Sequence, residues 1–189
     1  MDIPNRKFKR LKPIKLNIPG HAHELTFSCF KRVPLLRSRY ANELLADAVN
    51  TAQTTYNFEV WAYVFMPEHV HIIIYPINEI YSISDILKSI KQSVSRKFIN
   101  YCRWNKSRLL SHLETGLKSP RYRFWQDGTG YDRNYCNQEE LLKEIDYIHN
   151  NPVKRGLTDD PTKWKYSSAT FWIKDGYSPV VVTRDHFPK

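Results

Sequence analysis

Apolar and polar residues alternate over residues 23–30 (HELTFSCF), the period-two pattern of a strand with one face on a core. After Pro34 the period changes: Leu44, Leu45, Ala48, Val49 and Ala52 recur at helical spacing and predict a helix over residues 40–56, closed by Asn57. Residues 58–66 and 69–75 are two runs rich in β-branched and aromatic side chains, and the Pro67-Glu68 turn between them predicts a hairpin. A second helix is predicted from Ser82 to about Tyr101, with Ile83, Ile86, Leu87, Ile90, Val94 and Phe98 on one stripe and Lys88, Lys91 and Gln92 off it. Between Arg103 and Tyr135 the pattern is irregular, and residues 121–126 (RYRFWQ) and 131–135 offer a fourth strand with its approach. Residues 138–151 predict a third helix with Leu141, Ile145 and Ile148 inward, ended at Asn151-Pro152 because proline cannot continue the hydrogen-bond ladder.

Strand, helix, strand, strand, helix, strand is the order of an α+β, ferredoxin-like split βαβ unit. The expected architecture is an antiparallel sheet with helices on one face, followed by an extra C-terminal helix. A length of 189 residues suits one main domain, taken as residues 21–172. Residues 1–20 combine Arg6, Lys7, Lys9, Arg10, Lys12 and Lys15 with three prolines and read as a basic arm; residues 173–189 read as a C-terminal tail.

Composition narrows the function classes. The 29 Lys and Arg outnumber the 19 Asp and Glu, giving a formal charge of +10 that favours a polyanion such as nucleic acid. Cys29, Cys102 and Cys136 are scattered, with no CxxC pair for zinc and no even count for a disulfide framework. No apolar run reaches the roughly 18 residues of a membrane span, and the basic N-terminus lacks the apolar core of a secretory signal. These features give the expectation of a cytoplasmic, nucleoid-associated protein without a membrane partner.

His69 and His71 flank Val70 on a predicted strand, so alternation points both imidazoles to one face. Two neighbouring metal ligands then come at almost no chain-entropy cost, although an HxH pair by itself also fits ordinary surface or core histidines. On the third helix Tyr147 and Asn151 are four residues apart and share a face. A tyrosine at such an edge is ordinarily a half-buried packing residue, so whole motifs have to decide between the readings.

VFMPEHVHIIIYP (residues 64–76), FWQ (124–126), YDR (131–133) and DYIHNNPVKRGL (146–157) resemble, in that order, the motifs of REP-associated tyrosine transposases, single-tyrosine HUH enzymes related to insertion-sequence transposases. The likeness covers roughly residues 20–172, including WKYSS at 164–168. Asn134 departs from it, since relatives usually carry an aliphatic residue there, and the DGTG stretch at 127–130 is glycine-rich for that turn. The register of the fourth strand is therefore left open by the sequence. The resemblance implies that His69 and His71 are the HUH metal ligands, Tyr147 the nucleophile on what becomes a catalytic helix, and Asn151 the third ligand. His149 lies about 160° around the helix from Asn151, which favours Asn151 over it.

A tyrosine hydroxyl ordinarily titrates near 10 and is a weak nucleophile at neutral pH, so a divalent ion, Mg²⁺ or Mn²⁺, is the expected cofactor. The resemblance implies single-stranded DNA cleavage and strand transfer through a 5′-phosphotyrosine link, on single-stranded or hairpin DNA, by a monomer or homodimer. Lys88, Lys91, Arg103, Arg121 and Arg123 are the candidate phosphate contacts, interleaved with aromatics as a single-strand groove requires. Phe124 and Trp125 are expected in the core rather than on that surface. Two alternatives stand beside this reading: a non-catalytic nucleic-acid-binding ferredoxin-like module, and a metal-dependent hydrolase that uses water.

Overall fold

A computed structural model describes residues 16–128 and 130–188 of the chain. Most of the basic arm assigned to residues 1–20 lies outside the described residues. In chain order the main elements are β1 (Ala22–Ser28), α1 (Arg39–Tyr56), β2 (Phe58–Met66), β3 (His69–Pro76), α2 (Ile83–Trp104), α3 (Leu109–Leu113), β4 (Tyr131–Tyr135), α4 (Gln138–Lys154) and α5 (Ala169–Lys174). The sheet order is β2-β3-β1-β4 with every pair antiparallel, the ferredoxin-like arrangement expected from the element order.

Local chemistry starts each long helix. Ser38, Ser82 and Asn137 accept from the backbone N–H of Ala41, Asp85 and Glu140, satisfying donors that the first turns leave open. Asn57 ends α1 in the left-handed region and turns the chain straight into β2. Helix α4 runs on to Lys154, past the stop predicted at Asn151-Pro152. Pro152 forfeits a single ladder bond in the final turn, and the N–H groups of Arg155 and Leu157 close that turn on the carbonyls of Asn151 and Pro152.

The sheet is covered on both faces. One side packs Leu25, Phe27, Val70 and Ile72 against α1 and α2. The other packs Ala22, Val64, Met66 and Ile73 against Leu141, Ile145 and Ile148 of α4. Strand β2 is buried along its whole length because the C-terminal segment also closes its outer edge, with Phe65, Ser168 and Thr183 N–H or carbonyl groups bonded across it. Residues 173–188, set apart from the sequence as a tail, thus pack onto the fold: Val180 and Val182 are buried, and His186 bonds the buried Glu59. A single buried valine of this kind contributes about 1.5–3 kcal/mol.

The fourth strand is residues 131–135, while residues 121–126 approach it through isolated bridges from Trp125 to Cys29 and Tyr122 to Glu114. Phe124 and Trp125 are buried, as expected. Asn134 donates to the Leu16 carbonyl at 3.0 Å and pins the end of the arm to β4. No helix among the described residues is long and apolar enough to cross a membrane.

Candidate active site

Strand register assembles the site. Antiparallel pairing sets Thr26 opposite His71 and Ser28 opposite His69, so the polar positions of β1 and both imidazoles lie on the sheet face that α4 covers. The two rings are 5.0 Å apart between centroids at 77°.

Each imidazole is held through Nδ1. For His71 that atom lies 2.9 Å from Thr26 Oγ1 and 3.4 Å from Glu24 Oε1, and Thr26 Oγ1 itself donates to Glu24 Oε1 at 3.2 Å. The consistent assignment has His71 Nδ1–H donating to Thr26, whose hydroxyl donates to the Glu24 carboxylate, leaving the Nε2 lone pair for a ligand. His69 Nδ1 is 3.0 Å from Glu68 Oε1, and that carboxylate also accepts from Arg155 beyond the end of α4. Burial pushes the Glu68 carboxyl up, but the Arg155 hydrogen bond and the charges of His69 and Arg155 outweigh it and hold it below the usual range. Burial, aided by neighbouring His71, pushes His69 down to about 4, so it is neutral and able to ligate at neutral pH.

Helix α4 supplies the third side. The Tyr147 ring stands edge-on to His71, with centroids 6.3 Å apart at 90°, and Tyr147 keeps 44% of its surface exposed. Lys154 Nζ sits 4.5 Å from the centre of the Tyr147 ring. Asn151 is buried and spends its amide N–H on the Tyr147 carbonyl at 3.1 Å, so Oδ1 is its atom able to ligate. His149, on another side of α4, is buried against Ser168 Oγ at 2.7 Å and ties α4 to the start of α5. Glu144, one turn before Tyr147, accepts from the Tyr135 hydroxyl at 2.9 Å; burial and the nearby Glu24 charge raise its pKa.

The side chains here that could hold an ion are the imidazoles of His69 and His71, with the Asn151 amide oxygen on the same α4 face as Tyr147. Among the described residues no three His, Cys, Asp or Glu side chains could hold an ion together.

Glu24, Thr26, Glu68, Arg155 and Lys154 carry no role in the sequence reading. The one signal for the first two is the alternation in β1: Glu24, Thr26 and Ser28 form its polar face, which looks solvent-facing until β3 is laid beside it. Of the candidate cationic residues, Lys91 donates to the Gly128 carbonyl at 3.0 Å, and Arg123 pairs with Asp127 on the same loop. Arg103 and Arg121 both lie over the Tyr122 ring, 5.3 and 5.2 Å from its centre. Lys88 is exposed on α2.

Comparison with known proteins shows the family and the fold. Residues 19–151 match the model of the family described as IS200-like transposases. A REP-associated tyrosine transposase of Haemophilus influenzae is 31% identical over 132 residues, covering 68% of each chain. One of Escherichia coli K12 is 26% identical over 152 residues, covering 79% of this chain and 76% of its own. Among solved structures, a REP-associated tyrosine transposase bound to a REP hairpin superposes with a TM-score of 0.66 at 22% identity, covering 95% of this chain and 94% of that one, and shares the fold. The chain belongs to the IS200-like transposase family, and its curated relatives are REP-associated tyrosine transposases.

Proposed function

We propose that the protein cleaves and rejoins single-stranded DNA, using Tyr147 as nucleophile and His69, His71 and Asn151 as ligands of Mg²⁺ or Mn²⁺. The observation that carries the proposal is the Tyr147 ring edge-on to His71, whose Nδ1 is tied back so that Nε2 is left for a ligand.

Tyr147 gives up its phenolic proton to solvent as Oη attacks the scissile phosphorus, the phosphorus–O3′ bond breaks, and the departing 3′ oxygen takes up a proton from solvent to become a hydroxyl. The product is a 5′-phosphotyrosine link. Its phosphodiester energy is conserved, so a later attack by a 3′-hydroxyl reseals or transfers the strand without ATP. The ion, when bound, supplies Lewis-acid polarisation of the phosphate. Asn151 and the two histidines hold it, while Thr26, Glu24 and Glu68 fix the imidazoles in the tautomer that ligates. Lys154 brings a positive charge to the nucleophile's ring, where charge builds up on the attacking oxygen and the phosphate. With one tyrosine, each subunit cuts one strand at a time.

Hairpin DNA is the proposed substrate, by analogy with the solved relative bound to a REP hairpin. The test is incubation of end-labelled hairpin DNA carrying unpaired flanks with wild-type and Tyr147→Phe protein, with Mg²⁺ or Mn²⁺, followed by denaturing electrophoresis. A metal-dependent protein–DNA adduct in wild type alone is the expected result. Cleavage that survives in Tyr147→Phe without an adduct would indicate a hydrolase using water, and binding without cleavage a non-catalytic module.

A further inference from the structure

Away from the histidine pair, the C-terminal segment reaches helix α4. Thr183 bonds the Val60 carbonyl through its N–H, and residues 184–188 then lie on the α4 side of the sheet. Phe187 packs edge-on against two indoles, 4.9 Å from the Trp61 ring at 69° and 5.3 Å from Trp172 at 71°, in the cluster that holds Leu141, Ile145 and Ile148 of α4. The Pro188 carbonyl accepts from Gln138 Nε2 at 3.0 Å, in the first turn of α4. His186 fastens the same stretch to β2: its Nδ1–H and its backbone N–H both donate to the buried Glu59 carboxylate, which also accepts from Trp61 Nε1 at 2.8 Å. Glu59 lies five residues along β2 from Val64, the partner of His71, so about 16 Å of strand separates this contact from the histidines.

We propose that residues 184–188 are a strap that sets where α4 sits on the sheet and so positions Tyr147 against His71, with Phe187 and Glu59 as its positioning residues. The role of Tyr147 rests on the nuclease reading above; the strap itself does not. Helix α4 is weakly held where it begins, since Leu141 alone among residues 138–141 is buried. Its later turns are tied by His149 to Ser168 and by Arg155 to Glu68, whereas the first turn is tied by Gln138 to the strap. Nine residues separate Gln138 from Tyr147, about 14 Å of helix axis, so a tilt of the first turn is carried along a stiff rod to the nucleophile. Burying a carboxylate is unfavourable unless donors meet it, and two of the three N–H groups that meet Glu59 belong to His186. The buried charge on β2 therefore draws the strap in.

The latch responds to pH. The hydrogen bond and charge of Glu59, with Asp185 adding to them, raise the His186 pKa above its ordinary value. Around the ring, β3 contributes Tyr75, stacked at 5.8 Å and 20°, while Arg184 pairs with Asp175 and lies over Phe171 and Trp172. An imidazolium holds a carboxylate more strongly than a neutral ring does. That extra hold is complete below the ordinary histidine value near 6.5 and is lost as pH rises through the raised one. The neutral ring keeps its Nδ1–H, so the strap loosens without letting go.

The test uses full-length protein and two readouts: amide hydrogen exchange by mass spectrometry, and single-turnover adduct formation at saturating hairpin DNA. Phe187→Ala is expected to speed exchange across residues 138–150 at least fivefold against wild type at the same pH and to leave α1 and α2 within twofold, while Phe187→Leu restores most of the protection. His186→Gln gives a smaller increase at pH 6 that shrinks toward none at pH 9. The adduct rate of Phe187→Ala falls at least fivefold with hairpin Kd within twofold, the split expected of a residue that positions the nucleophile and touches no DNA. Unchanged exchange in α4, equal increases in every helix, or faster adduct formation by Phe187→Ala would overturn the strap. Absence of any adduct from wild-type protein, with the exchange changes confined to α4, removes the nucleophile and keeps the strap on its helix.

Discussion

His71 Nδ1 and Thr26 Oγ1 are 2.9 Å apart across neighbouring strands, and Thr26 passes the contact on to Glu24 at 3.2 Å. A buried carboxylate on β1 thus governs which nitrogen of a β3 imidazole keeps its lone pair for a ligand. Removing the hydroxyl while keeping the shape, as in Thr26→Val, frees the ring to change tautomer. The expected result is Mn²⁺ binding weakened about 10–100-fold by electron paramagnetic resonance titration, with Thr26→Ser close to wild type. Unchanged affinity in Thr26→Val would remove the relay from the account.

Lys154 Nζ lies 4.5 Å from the centre of the Tyr147 ring. Lys154→Met keeps the stem that packs near the ring and deletes the charge. Adduct formation in single-turnover assays is expected to slow roughly tenfold, the order of 1 kcal/mol that a partly exposed cation–π contact contributes. Hairpin affinity should change by much less, which separates a role in the chemical step from one in binding.

His149 links stability to pH. Burial pushes it down to about 4 from an ordinary value near 6.5, and its partner is the Ser168 hydroxyl. The unfolded chain therefore takes up a proton at a pH where the folded chain does not. Stability is complete above about pH 6.5 and is lost as pH falls toward 4, by on the order of 3 kcal/mol from this group, with His69 contributing in the same direction. Urea midpoints measured between pH 7.5 and 4 should fall in wild type and fall less steeply in His149→Gln.

Gly130 is a position where the backbone tolerates no side chain. With φ +74° and a Cβ contact of 2.0 Å to the Thr26 carbonyl, Gly130→Ala has to push the loop off β1. A loss of about 1–3 kcal/mol by urea denaturation is expected. Gly116→Ala is the control, since it shares a positive φ of 76° but has open space around its Cβ, and its cost should be the smaller.

The sequence by itself determined the element order, and with it the ferredoxin-like topology, because apolar periods of 2 and 3.6 depend only on neighbours along the chain. It also placed the two histidines on one strand face and Tyr147 with Asn151 on one helix face, for the same reason. What it could not contain were relations across the chain. Glu24 and Thr26 looked like the solvent side of β1 until the register set Thr26 opposite His71. Asn134 looked misplaced until its amide met the Leu16 carbonyl. Residues 173–188 looked like a tail because a short segment covering a sheet edge buries alternate residues without any long periodic signal, and only packing put Val180 and Val182 inside. Helix α4 runs past the stop its proline predicts because that stop is a statement about the ladder alone, and the loss of one bond in a final turn is offset when the next N–H groups find carbonyls in the same turn. Local periodicity fixes which face a side chain takes; only tertiary structure decides what that face meets.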